Sequence, residues 1–258
     1  MVIRRIRRHV ETHNWFAVLI DLVIVVAGVF LGTQANNWNA ARIERAAAAD
    51  YRRDIVADLD ANEIDLSSRK AYYEATRRHA IAALAAIEAP AAPRGEPFLI
   101  DAYQASQVWS RPLARAAYDE MVGAGLSRSI GDKQLRSRLT AYYTQIKQFD
   151  VTALGMTTYR ERARRTLPYS VQSAIRQKCD DRVTTFRNGT QIAAFPETCA
   201  LGLDKAEIDA ASAKLTAADL GEDLTRHIAD LDQKIAGFER FGNLARSLRR
   251  SLQSADRT

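Results

Sequence analysis

From Trp15 to Ala35 the chain runs through 21 residues, WFAVLIDLVIVVAGVFLGTQA, with one charge at Asp21. As a helix rising about 1.5 Å per residue, this stretch spans about 31 Å. That is the thickness of a bilayer's hydrocarbon core, so the pattern predicts a transmembrane helix over 15–35. Beyond it the apolar positions become periodic. Residues 40–89 contain neither proline nor glycine, and Ile55, Leu59, Asn62, Leu66, Tyr73, Ala80, Leu84 and Ile87 recur at spacings near three and four. This predicts that the membrane helix continues as a stalk helix over 36–89. Pro90, Pro93, Gly95 and Pro97 mark a linker, placed at 90–112. A short helix follows up to Gly123 and Gly125. Asp132 is the expected N-cap of a helix whose Leu135, Leu139, Tyr142, Ile146, Phe149, Ala153, Met156, Arg160, Ala163 and Leu167 alternate by four and three until Pro168. Leu224, Ile228, Leu231, Ile235, Phe238, Gly242, Ala245, Leu248 and Leu252 form a third seam. Three such seams predict an elongated antiparallel helical bundle over 113–258.

One island breaks the helical pattern. Val183–Phe195 is rich in β-branched and aromatic residues around Asn188-Gly189, a dipeptide that favours a type I′ hairpin turn. Cys179 and Cys199 flank it almost symmetrically, so a hairpin insertion at 179–199 would bring them opposite one another. A structural disulfide closing about 20 residues would stabilise the fold by about 3 kcal/mol. A redox pair is the alternative, and the spacing is not that of C-x-x-C.

Charge orients the span. Arg4, Arg5, Arg7 and Arg8 precede it, whereas Arg42 and Arg45 are balanced downstream by Glu44 and Asp50. Excess arginine stays on the cytoplasmic side, so residues 1–14 are expected as a cytoplasmic basic arm. Everything after the span would be periplasmic, anchored in a bacterial inner membrane. In that oxidising compartment the cysteines would be bridged. A cleaved signal peptide shares the same grammar, although its apolar run is normally about 7–15 residues. A buried core helix is the third reading. Without Arg4, Arg5, Arg7, Arg8, Glu11 and Asp21 there remain 33 basic and 29 acidic residues, so residues 36–258 carry only +4. That mild excess, in that compartment, argues against nucleic acid as a partner.

At 100° per residue Asp21, Gly28, Gly32 and Asn39 fall on one helix face. Gly28-x-x-x-Gly32 lets two backbones approach closely, which predicts a homodimer, or a contact with another membrane protein, through this face in the lipid bilayer. The run from Asp21 through Gln34-Ala35-Asn36-Asn37-Trp38-Asn39 resembles the opening of a large family of uncharacterised bacterial single-pass membrane proteins with a domain of unknown function. Ala117–Arg136 followed by Tyr142-Tyr143 resembles its second characteristic stretch. The resemblance implies a retained anchor and a helical body, and no activity.

Candidate chemistry is sparse. Histidines 9, 13, 79 and 227 form no ligand spacing, and no phosphate-cradling, dinucleotide, zincin or nucleophile-elbow motif occurs, so neither cofactor nor metal is expected. Asp180-Asp181 reads as a solvated pair. Arg240, Arg246, Arg249 and Arg250 read as the solvated face of the last helix, with anionic lipid as an alternative target. The expectation is an all-α membrane-anchored periplasmic interaction or sensing module without catalytic activity. An enzyme with a site dispersed over Glu120, Arg136, Tyr142 and Tyr143 is the competing reading.

Overall fold

The computed structural model describes residues 15–89, 94–109, 111–153, 155–186 and 189–255. The basic arm at 1–14, Pro90, Pro93 and Asn188 lie outside the described residues. Two compact units divide the chain between Asp50 and Tyr51. Among the described residues there are eight α-helices, one 3-10 turn and one two-stranded antiparallel sheet.

Helix α1 comprises Trp15–Glu88. Its described residues in the first unit include the whole apolar run, and Trp15, Leu22, Val26, Val29, Leu31 and Trp38 all lie more than half exposed. This is the one helix among the described residues long and apolar enough to cross a membrane. From Tyr51 onward α1 belongs to the second unit, where Ile55, Leu59, Leu66, Tyr73 and Ala80 are fully buried. The expected stalk is therefore, over 51–88, a core helix of the body.

Helix α2 is Glu96–Gln104, α3 Ala116–Gly123, α4 Lys133–Ala153, α5 Thr158–Thr166, α6 Tyr169–Lys178, α7 Lys205–Ala217 and α8 Gly221–Ala255. The linker expectation for 90–112 fails at α2, which buries Phe98, Leu99, Ala102 and Tyr103. Pro97 sits in the first turn of that helix, where a missing amide proton costs nothing and the fixed φ favours the helical start. The ten-position seam from Leu135 to Leu167 is also two helices rather than one. Gly155 follows the end of α4, and the Thr157 hydroxyl accepts the Arg160 amide at 3.3 Å to start α5. Met156, placed in the seam by spacing, is 64% exposed. Asp132 does cap α4, its carboxylate accepting the Leu135 amide at 2.7 Å.

Within the second unit α1 and α8 run antiparallel with a common seven-residue beat. Glu63 pairs with Arg246 at 2.6 Å, Lys70 with Glu239 at 3.0 Å and Arg77 with Asp232 at 2.5 Å. Steps of seven on one helix meet steps of seven on the other, the flanking-charge arrangement of a coiled coil. Between these pairs the apolar seams meet. Tyr73 stacks on Phe238 at 5.2 Å between ring centroids, and Leu66 lies against the bare backbone of Gly242. Helix α4 packs on α8 through Phe149, which meets Phe238 and Phe241 at 5.2 and 4.9 Å. Three long helical seams pack together, as their periodicity predicts.

The buried polar residues of α1 have a single purpose. The segment after α2 runs extended along the helix, and side chains on one α1 face satisfy its backbone in antiparallel order. Asp58 accepts the Ala117 amide, and Asn62 both accepts from and donates to Ala114 at 2.7 and 2.8 Å. Arg69 donates to the Arg111 carbonyl, and the Tyr73 hydroxyl bonds both backbone groups of Trp109. Arg69 is itself held by Asp65 one turn away at 2.7 Å. Asn62, read as part of an apolar seam, belongs to this clamp.

Strands β1, Arg182–Thr185, and β2, Gln191–Ala194, pair with Arg182 opposite Ala194 and Thr185 opposite Gln191. Phe186 and Thr190 extend the pairing, and the Gly189 amide bonds the Phe186 carbonyl. Gly189 takes φ of +80°, in the left-handed region that favours glycine. The type I′ turn expected at Asn188-Gly189 falls partly on Asn188, outside the described residues. The hairpin brings Cys179 and Cys199 together in a disulfide with Cα atoms 5.3 Å apart.

Candidate functional site

The N-terminal apolar segment carries the predicted association face. Asp21, Gly28, Gly32 and Asn39 are all helical and all exposed, and a Cβ built on either glycine would meet nothing within 4 Å. Asn39 accepts a hydrogen bond from Arg42 at 3.4 Å. The described part of this chain therefore leaves the face bare. Two helices bearing it could approach to backbone contact, and Asp21 would have to share a proton or a donor across such a contact.

A second feature gathers around the disulfide. Tyr72 and His79, two turns apart on α1, both meet Phe195 just beyond β2, at 4.7 and 5.3 Å between ring centroids. The Tyr72 hydroxyl donates to Asp181 at 2.8 Å, and Gln104 of α2 donates to the Cys179 carbonyl at 2.8 Å. These contacts dock the hairpin. Burial, reinforced by the Asp181 charge, pushes the Tyr72 phenol far above its ordinary value, and burial also raises Asp181. Asp181 is consequently a half-buried acceptor rather than the solvated carboxylate expected, while Asp180 remains exposed and accepts the Asp181 amide at 3.0 Å.

A cleft of about 210 Å³ opens beside this contact, lined in part by His79, Asp101, Gln104, Phe195, Glu197 and Cys199. His79 Nδ1 lies 2.7 Å from Asp101 Oδ1, which orients the ring. A base with its orienting carboxylate needs a nucleophile or a set of oxyanion donors to perform chemistry. Here the cysteine sulfurs are spent in the disulfide, and Glu96 at the rim accepts the Leu201 amide at 2.9 Å. The arrangement orients a histidine without completing a reaction centre. Among the described residues no group of three or more His, Cys, Asp or Glu is placed to hold a metal.

The residues of the dispersed-site reading do not converge. Glu120 is exposed, and Arg136 donates to the Gly131 and Arg128 carbonyls, closing the turn before α4. Tyr142 and Tyr143 are buried, with Tyr143 stacked on Tyr118 at 4.1 Å and meeting Tyr142 edge-on at 5.1 Å. Their rings fill the interior between α3 and α4, and burial drives the Tyr143 phenol strongly upward. Of Arg240, Arg246, Arg249 and Arg250 on α8, Arg246 and Arg249 are taken up by Glu63 at 2.6 and 3.0 Å.

Sequence reasoning missed α6 and α7. Asp204 caps α7 by accepting the Glu207 amide at 2.7 Å, and the Asp-x-x-Glu spacing was the signal. It also missed His227 on α8, which is 3% exposed, stacked on Tyr159 at 5.2 Å and bonded through Nε2 to the Ala105 carbonyl at 2.8 Å. Burial holds this imidazole's pKa below its ordinary value, and the ring ties α8 to the Ala105 carbonyl after α2. Comparison with family models, with curated proteins and with solved structures returns no match.

Proposed function

We propose that the chain is a single-pass anchor protein of a bacterial inner membrane, with its N-terminus in the cytoplasm. Its helical body is periplasmic and serves interaction or sensing rather than catalysis. The observation that carries this reading is the run from Trp15 to Trp38, whose large apolar side chains are all exposed in a chain that buries such side chains well elsewhere. A contiguous apolar surface of that length requires a non-aqueous solvent. The arginines before the span support the orientation. The disulfide supports an oxidising compartment for the body. Within the membrane the chain self-associates through Asp21, Gly28, Gly32 and Asn39.

Fusions at Thr258 test the topology. Alkaline phosphatase should be active there and β-galactosidase inactive, and the reverse would overturn the reading. Single cysteines along 22–33 test the association: crosslinks should peak beside Gly28 and Gly32 and disappear in Gly28→Leu. Crosslinks centred on Leu22, Val26 and Val29 would place the contact on a different face and overturn the association reading.

A further inference from the structure

The second unit has one feature that neither the anchor nor the disulfide uses. A cleft of about 600 Å³ lies between α8 and the turn joining α4 to α5, within the roughly 300–1,000 Å³ range of ligand pockets. Phe149 forms its wall, held from behind by Phe238 and Phe241. Gly237 brings that ring directly onto the α8 backbone, since a Cβ there would stand 2.5 Å from it. Met156 lies along the cleft at 64% exposed, a large apolar side chain left at the mouth of a partly apolar cavity.

The charges facing the cleft are Asp230, Lys234 and Arg240, all from α8. Lys234 is half-buried, its ammonium 5.7 Å from the Tyr73 ring, and burial pulls its proton affinity below the ordinary lysine value. Neither Lys234 nor Arg240 belongs to an ion pair among the described residues, whereas Lys70, Arg77 and Arg246 on the same α1–α8 seam each do. Asp230, one turn before Lys234, offsets part of the cost of desolvating this ammonium without forming an ion pair with it, and an anion entering the cleft offsets more. We propose that this cleft binds a small amphipathic monoanion, its carboxylate on Lys234 and Arg240 and its apolar body on Phe149 and Met156. The proposal stands independently of the membrane reading.

The chain has three methionines, Met1, Met121 and Met156. Met121 is buried in the core at 2% exposed, so methyl-labelled methionine provides both a site reporter and an internal control. With the full chain in lipid nanodiscs, 4-phenylbutyrate should shift the Met156 methyl saturably and leave Met121 in place. The uncharged 4-phenylbutanol should bind about tenfold more weakly, as should 4-phenylbutyrate to Lys234→Gln, a loss equivalent to about 1.4 kcal/mol. The unmoved Met121 signal shows that the variant's core is intact. Absence of a saturable Met156 shift, equal movement of Met121, or equal affinity for acid and alcohol on the wild-type chain would each overturn the proposal, whether or not the variant folds.

Discussion

Residues 15–35 and residues 51–87 lie on the same helix and are both rich in apolar side chains, yet one set is bare and the other buried. In the first the apolar residues are continuous, so every face of the helix is greasy and no single neighbour could cover them. In the second they recur every three or four positions, which leaves one face for partners and another for charge. The difference lies in arrangement more than in amount. Continuous apolarity calls for a different solvent, whereas periodic apolarity calls for another helix. The polar residues follow the same division: among the described residues Asp21 makes no hydrogen bond or ion pair, while Asp58, Asn62, Asp65 and Arg69 are each bonded to a specific group.

The sharpest way to break this comparison is to remove one ion from the buried clamp. Arg69→Met leaves Asp65 buried without its cation and the Arg111 carbonyl without its donor, and should cost about 3–5 kcal/mol in denaturant unfolding of the body. A loss under about 1 kcal/mol would show that the clamp is ornamental. Next in size is a matched pair of truncations. Leu59→Ala, at a fully buried position, should cost about 2–5 kcal/mol, while Leu22→Ala, at 59% exposed, should leave unfolding of the body unchanged. Equal effects would erase the distinction between the two stretches.

Replacing both Cys179 and Cys199 by serine should lower stability by about 3 kcal/mol, because the unfolded chain regains the freedom of a loop of about 20 residues. Proteolysis within 180–198 should accelerate in parallel, and an unchanged unfolding midpoint would show that Tyr72, Gln104 and Phe195 alone hold the hairpin. The smallest effect concerns pH. Unfolded His227 takes up a proton below its ordinary value of 6.5, while the folded ring stays neutral to lower pH. The unfolded state then binds more protons, so this group makes stability fall as the pH drops through 6.5. His227→Gln should flatten that segment of the stability curve, and an identical slope in both proteins would remove His227 from the account.

Much of the architecture could be read from spacing because the relevant forces are local or periodic. The seams of α1 and α8, the Asp132 cap and the opposition of Cys179 and Cys199 all rest on positions along one element or on hairpin symmetry. Where the sequence misleads, either a periodic pattern masks a local signal or a local signal carries two meanings. Gly155 and Thr157 spell a stop and a start, but Leu135 to Leu167 kept the beat of a single helix across them. Pro97 was taken as a breaker although a proline in the first turn begins a helix as readily as it ends one. The candidate association face was visible as spacing alone, whereas the His79–Asp101 pair and the cleft at Lys234 were not visible at all. Their members lie 22 residues apart in the first case and on separate helices in the second.

Composition and order along the chain thus settled that the long apolar seams are helical, which stretch is uniformly apolar and which cysteines could meet, since each depends on neighbours a few residues away or on hairpin symmetry. Folding alone decided the rest. The antiparallel match of Glu63, Lys70 and Arg77 with Arg246, Glu239 and Asp232, the extended segment strapped to α1 and the unpaired ammonium of Lys234 arise where distant residues share desolvated space. In that space the free energy of a charge depends on what packs beside it, and linear order carries no record of that.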